Sequence, residues 1–201
     1  MSKAALSALR YGSATSALRD SGSSGDLAVV DVHPRGALLA VIDGVGHGES
    51  AALAAEHARL AIHAHVRDSP VTVVRRCHEK LRHTRGVVMS IAAIDFEHGT
   101  LNWLGVGNVR GVLYRATDKA DTRPEELLLR PGVVGAKLPA LRTTVTPVGR
   151  SDTLILATDG IHSEFADRLT PSGEPRALAQ RILAHYGRRT DDALVLVAQL
   201  S

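Results

Sequence analysis

The sequence has few aromatic residues and a single cysteine, Cys77. Aromatic residues make up 3% of the 201 residues although hydrophobic residues reach 44%, so a core must be built mainly from alanine, valine, leucine and isoleucine. One cysteine cannot form an internal disulfide, which is typical of a cytoplasmic protein. No apolar run approaches the ~18 residues of a membrane-spanning helix, and residues 1–10 lack the apolar block of a signal peptide. We therefore expect a cytoplasmic protein without membrane contacts.

Several classes of protein are disfavoured by what the sequence does not contain. A cysteine phosphatase needs an arginine after a five-residue spacer, and that position after Cys77 is His83. The Gly-x-Ser-x-Gly motif of a serine hydrolase does not occur. A net charge of +3 is too small to indicate a nucleic-acid-binding protein.

One stretch is nevertheless dense in basic residues. It has two interpretations: a solvated helix face, which such runs usually form, or a docking surface for an acidic or phosphorylated partner. Its members are Arg75, Arg76, His78, Lys80, Arg82, His83 and Arg85.

Apolar runs and turn residues predict an α+β fold. Helical spacing predicts helices over 49–66, from 70 to about 84, and over 174–186. The stretch 12–25 is rich in serine and glycine and is expected to form a loop. The many strands, with two helices inserted early, favour two stacked, mainly antiparallel sheets covered by helices. Strands are expected over 27–32, 37–42, 87–96, 100–106, 109–114, 126–130, 142–148, 153–157 and 193–199.

Four acidic motifs stand where predicted strands begin or end. An Asp-Gly pair alone is more often a turn than a ligand, but four in this arrangement suggest a carboxylate cluster. Clustered carboxylates repel each other unless cations neutralise them, and hard oxygen ligands suit Mg²⁺ or Mn²⁺. Two such ions would activate water and offset the charge of a phosphoryl group. The motifs are Ser24-Gly25-Asp26, the stretch from Asp43 to Gly48, Thr158-Asp159-Gly160 and Asp191-Asp192.

These motifs, in this order, resemble the metal-dependent protein phosphatases of the protein phosphatase 2C (PPM) type, in their bacterial SpoIIE-like branch. Within that branch, 85–90, 95–97 and 106–110 look like the stand-alone phosphatases that act on the stressosome. The resemblance implies an αββα sandwich forming one phosphatase domain over residues 1–201. It also implies two Mn²⁺ or Mg²⁺ ions.

The resemblance assigns roles to individual residues. Asp43 would bridge both ions, and the carbonyl of Gly44 would bind one of them. Asp159 and Asp191 would complete one site and, with Asp43, carry catalysis. Asp26 would serve the second site. We expect Asp191 rather than its neighbour Asp192 to be the ligand, with Asp192 orienting other groups.

This sequence departs from the family pattern at several positions. A histidine found two residues after the bridging aspartate in eukaryotic members is replaced by Val45, and His47 would either face the cleft or cap the following helix. An aspartate that binds a third metal in some members is Asn108, so a third ion is not expected. Arg19 is one possible phosphate-binding arginine, with a surface role as the alternative.

The function implied by the resemblance is hydrolysis of phosphoserine and phosphothreonine. The expected partners are phosphorylated stressosome proteins with STAS domains, and their dephosphorylation would reset a stress signal. Two alternatives stay open: a phosphatase of an anti-anti-sigma factor, and a phosphatase-like scaffold that binds a phosphorylated partner without catalysis.

Overall fold

Two stacked β-sheets form the centre of the molecule. The computed structural model describes residues 9–17, 24–116, 123–188 and 190–201. Its strands are β1 (Leu9–Ser16), β2 (Asp26–His33), β3 (Gly36–Gly44), β4 (Val87–Asp95), β5 (Thr100–Val106), β6 (Arg110–Tyr114), β7 (Glu125–Glu126), β8 (Leu129–Arg130), β9 (Thr144–Pro147), β10 (Thr153–Ala157) and β11 (Ala193–Leu200).

The strand order separates the sheets clearly. One sheet runs β1-β11-β10-β6-β7, and the other runs β2-β3-β4-β5-β8 with β9 also paired to β5. All of these pairs are antiparallel except β5 with β8. Large aliphatic side chains and Trp103 fill the space between the sheets.

Helices cover the outer face of each sheet. The helices α1 (Glu49–Ala64) and α2 (Pro70–Lys80) bury alanine, isoleucine and valine against β2, β3 and β4. The helices α3 (Phe165–Arg168) and α4 (Pro175–Tyr186) cover β6, β10 and β11. The predicted αββα sandwich is confirmed. Within the described ranges, no helix has both the length and the apolar character needed to cross a membrane.

The structure corrects four local predictions. The predicted loop over 12–25 is wrong for residues 12–16, which belong to β1. The strand predicted over 126–130 is two short strands in different sheets. The helix predicted to reach about residue 84 ends at Lys80, where Leu81 donates its backbone N–H to the Cys77 carbonyl. The short helix α3 was not predicted.

The physical reason for missing β1 is its position at a sheet edge. Most of its side chains are exposed, so it lacks the apolar alternation that marks a half-buried strand. Gly12 serves the packing instead, because a Cβ there would lie 2.5 Å from the backbone of Arg176 in α4. The glycine that suggested a loop therefore permits close contact between a helix and a strand.

Candidate metal centre

Two aspartates face each other at one end of the β2–β3 hairpin. Asp26 is the first residue of β2 and pairs directly with Asp43, near the end of β3. Strand β3 is apolar up to Asp43, whereas β2 also carries Asp31 and His33, so the Asp26–Asp43 pair falls where β3 leaves the core. The hairpin thereby fixes two carboxylates side by side, with Asp26 only 5% exposed.

Glycines let the other acidic loops approach this pair. A Cβ on Gly160 would lie 1.9 Å from the Asp192 carbonyl oxygen, so the turn after β10 touches the loop before β11 only because residue 160 has no side chain. A Cβ on Gly44 would lie 2.2 Å from the Ala51 carbonyl, so Gly44 permits close packing of α1. The close contact at Gly160 brings the loops that carry Asp159 and Asp191 together, beside the Asp26–Asp43 pair.

Hydrogen bonds join the two sheets at the site. The Thr158 hydroxyl donates to Asp26 Oδ2 at 2.8 Å and accepts from the backbone N–H of Leu194 at 2.9 Å. The Gly25 N–H donates to Asp192 Oδ2 at 2.8 Å. Thr158 and Asp192 thus tie the start of β2 to the opposite sheet.

A cleft of about 500 Å³ opens above these residues. Among the described residues, those lining it include no lysine or arginine. The excess of carboxylates makes the cleft strongly acidic. Its lining consists of Asp26, Asp43, Val45, Gly46, His47, Val88, Asn108, Val133, Asp159, Thr190, Asp191 and Asp192.

Three carboxyl groups of the cleft have raised pKa values. Burial, with repulsion from Asp26 and the other aspartates, raises the pKa of Asp43 to about 8. Burial also raises the pKa of Asp26 to about 7, although the Thr158 hydrogen bond opposes the shift. Burial and the charge of Asp159 raise the pKa of Asp191. Such a cluster is stabilised by a bound cation.

The donor set of the cleft suits a hard divalent ion that keeps part of its water shell. Among residues 9–17, 24–116, 123–188 and 190–201, no three acidic, histidine or cysteine side chains are grouped closely enough to hold one ion. The carboxylates instead surround a space, so water and carbonyl oxygen would have to complete the coordination. Mg²⁺ typically binds through one or two carboxylates and several waters.

Comparisons with known proteins agree with this architecture. The family model of Stage II sporulation protein E (SpoIIE) matches residues 33–201. The chain belongs to the SpoIIE family. Phosphoserine phosphatase RsbX of Bacillus subtilis (strain 168) is 22% identical over 165 residues, which cover 82% of this chain and 81% of RsbX. The predicted membership is confirmed, as is the enzyme class, protein phosphatase.

Solved structures show the same fold. RsbX in complex with magnesium superposes with a TM-score of 0.86 at 20% identity, covering 96% of each chain. A chain from a structure of the bacterial stressosome, described as a modular system adapted to control secondary messenger signaling, gives a TM-score of 0.85. It is 29% identical and covers 95% of this chain and 99% of that one. The serine/threonine phosphatase PstP of Mycobacterium tuberculosis gives 0.74 at 19% identity, covering 96% and 99%.

Within this SpoIIE-family domain, the four predicted aspartates Asp26, Asp43, Asp159 and Asp191 all line one cleft. Gly44 lies beside it. The Gly44 N–H donates to the Gly25 carbonyl at 3.0 Å. The Gly25 N–H donates to Asp192 Oδ2, and therefore not to the Gly44 carbonyl opposite it.

The positions that depart from the family pattern also lie at the cleft. His47 lines the cleft, whereas the N-cap of α1 is Gly48, which makes no side-chain capping bond. Asn108 donates from Nδ2 to Asp159 Oδ2 at 2.7 Å, a contact that sequence reasoning did not foresee. Arg19 lies outside the described residues.

The role of Thr158 was also missed. The residue was visible in the Thr-Asp-Gly motif, but its hydrogen bond spans 132 residues of sequence. A threonine directly before a site aspartate was the available signal.

Proposed function

We propose that this chain is a metal-dependent phosphoserine/phosphothreonine protein phosphatase that dephosphorylates STAS-domain proteins of a stressosome and so resets a stress signal. It would work in the cytoplasm as a single catalytic domain. The observation that carries the proposal is the cross-strand pair of buried Asp26 and half-buried Asp43, in an acidic cleft shared with Asp159 and Asp191. The similarity to RsbX supports the choice of substrate class.

The residues of the cleft would divide the work as follows. Asp43 would serve both of two Mn²⁺ or Mg²⁺ ions, the Gly44 carbonyl and Asp26 would serve one of them, and Asp159 and Asp191 the other. The ions would have to draw these carboxylates closer together than they lie in the structure. Because the Gly25 N–H donates to Asp192 and not to the Gly44 carbonyl, that carbonyl is available to bind an ion. When bound, the two ions supply Lewis acidity for attack of water on phosphorus.

Neighbouring residues would hold the ligands in place. Thr158 fixes Asp26 by hydrogen bonding to Oδ2, and Asn108 does the same for Asp159. Asp191 Oδ1 accepts the N–H of Asp192 at 2.9 Å, while the Asp192 carboxylate bonds Gly25. This division supports Asp191 as the ligand and Asp192 as the orienting group.

The decisive experiment measures phosphate release from a phosphorylated STAS-domain scaffold protein with Mn²⁺, with Mg²⁺ and with a chelator. We expect turnover with a divalent ion and essentially none with the chelator. Turnover without metal would refute the mechanism. Metal-dependent turnover confined to unrelated phosphoproteins would refute the stressosome assignment.

Replacing Asp43 with asparagine tests the site directly. We expect a loss of turnover of at least about 100-fold, because the bridging carboxylate would be lost. Asp31→Asn is the matched control, since Asp31 lies on the neighbouring strand β2, paired with Leu38 of β3, and does not line the cleft. A wild-type protein that shows no turnover, and whose effect on the partner is unchanged by Asp43→Asn, would favour the scaffold alternative.

A further inference from the structure

One arginine of the basic stretch, Arg85, lies against the loop that joins β3 to α1 and contains Gly46. A Cβ built on Gly46 would lie 2.7 Å from Nη1 of Arg85, so the guanidinium occupies the space where a side chain of residue 46 would stand. Gly46 lines the acidic cleft, whereas Arg85 itself is exposed at its rim. The absence of a side chain at position 46 therefore admits a positive charge to the edge of the cleft.

The backbone holds Arg85 in this position. Val45 donates its N–H to the carbonyl of Gly86 at 3.1 Å, which joins the loop after Asp43 to the segment that carries Arg85. On the other side, Thr84 Oγ1 accepts the Gly86 N–H at 3.0 Å and donates to the Leu81 carbonyl at 2.8 Å. The base of the Arg85 side chain is thus fixed relative to Asp43.

The charge of Arg85 is not used within the described part of the chain, where it forms no ion pair or hydrogen bond. Other members of the basic stretch differ from it. His78 Nδ1 accepts the Gly135 N–H at 2.9 Å, and Arg76 lies 3.6 Å from Glu79. The stretch is therefore not one uniform docking face, and Arg85 is the member placed against Gly46 of the cleft lining.

We propose that Arg85 binds the phosphoryl group of the substrate at the rim of the cleft, donating from its guanidinium to non-bridging phosphoryl oxygens. The inference rests on the proposed phosphatase function. A phosphoryl group that enters this cleft meets several carboxylates. Without Arg85, only the metal ions would balance the negative charge of the phosphoryl group. A guanidinium supplies two parallel donors in a geometry that matches phosphate, and it stays charged at any working pH.

The first test uses Arg85→Ala, with Arg82→Ala as the matched control because Arg82 is another exposed arginine of the same stretch. Binding of inorganic phosphate to the Mn²⁺-loaded protein is measured by titration calorimetry. We expect Arg85→Ala to weaken phosphate binding roughly 10- to 100-fold, the usual effect of losing a charge-assisted bond. Arg82→Ala and the affinity for Mn²⁺ itself should not change. Arg85→Lys should recover part of the loss, because it keeps the charge but not the planar fork.

The second test compares two substrates, p-nitrophenyl phosphate and a phosphorylated STAS-domain protein. Arg85→Ala should raise KM for both by similar factors, because both carry the same phosphoryl group. A loss confined to the phosphoprotein would overturn the assignment and place Arg85 against the protein part of the substrate. Unchanged phosphate affinity and unchanged KM would overturn it as well.

These tests separate the two proposals. Phosphate titration does not need turnover, so a wild-type protein that binds phosphate through Arg85 but hydrolyses neither substrate would refute only the proposed function. A wild-type protein that is active and an Arg85→Ala variant that matches it in every measurement would refute only the role of Arg85.

Discussion

At the scale of single residues, Thr158 connects the stability of the fold to the site. Its hydroxyl is buried and has both hydrogen-bonding roles filled, one by the Asp26 carboxylate and one by the Leu194 N–H. The bond to Asp26 lowers the pKa of that carboxyl against the larger effect of burial. Thr158 therefore favours the ionised form of Asp26, which is the form that binds metal.

Thr158→Val tests this connection with little change in side-chain shape. We expect the free energy of unfolding to fall by about 1–3 kcal/mol, because the buried Leu194 N–H loses its acceptor and Asp26 loses a donor. The Mn²⁺ affinity should fall too. Urea denaturation and calorimetric Mn²⁺ titration provide the two measurements.

Thr153→Val is the control for this variant. Thr153 is also buried on β10, but its hydroxyl makes only a 3.4 Å contact with the Ser151 carbonyl, far from the cleft. Its substitution should leave Mn²⁺ binding unchanged. Equal losses of Mn²⁺ affinity in both variants would show that Thr158 has no specific role at the site.

At the scale of elements, the sequence predicts the buried strands well but does not predict the exposed edge strand β1. Strand β3 is apolar and buried along nearly its whole length, so its composition alone marks it. Strand β1 is held by pairing with β11 over its full length and by the contact of Gly12 with α4, and neither leaves an apolar pattern. Helix α3 spans four residues, too few for a helical period to be recognised.

Gly160, in the turn after β10, allows this turn to pack directly against the loop before β11. Gly160→Ala would place a methyl group on the Asp192 carbonyl oxygen and force the turn away from the loop before β11. We expect destabilisation of roughly 1–3 kcal/mol, as for overpacking, together with reduced phosphatase activity because Asp159 and Asp191 move apart. Thermal unfolding and a p-nitrophenyl phosphate assay measure the two effects.

Gly149→Ala is the matched control for that prediction. A Cβ at Gly149 meets nothing within 4 Å, so its substitution should change stability by no more than ~0.5 kcal/mol and leave activity intact. If Gly160→Ala behaved like Gly149→Ala, the close approach of the two loops would not be needed for the site.

At the scale of the whole molecule, the site lies where the two sheets meet. Asp26 and Asp43 come from one sheet, whereas Asp159 and Asp191 adjoin strands of the other. Two hydrogen bonds join the sheets at the site: Thr158 to Asp26, which are 132 positions apart in sequence, and Gly25 to Asp192, which are 167 positions apart. Motif order could therefore predict which aspartates line the cleft. It could not predict Thr158, whose bond to Asp26 forms only once both sheets are packed, or Arg85, whose contact with Gly46 forms only once β3 and β4 are paired.

This arrangement predicts how the stability of the metal-free protein depends on pH. The pKa values of Asp26 and Asp43 are raised from the ordinary 3.8 to about 7 and about 8, so the folded protein binds more protons than the unfolded chain between pH 4 and 8. The free energy of unfolding should therefore decrease as pH rises through that window, by on the order of a few kcal/mol, and level off above it.

Urea midpoints measured in chelator at pH 5, 6, 7 and 8.5 check this dependence. Asp43→Asn should flatten the curve, because it removes one of the carboxyls with a raised pKa and relieves Asp26 of a neighbouring charge. Saturating Mn²⁺ should also flatten it, since an ion that offsets the carboxylate charges removes the reason for holding protons. A metal-free wild-type protein whose stability rose from pH 5 to 8.5 would mean that Asp26 and Asp43 are not in fact close and buried together.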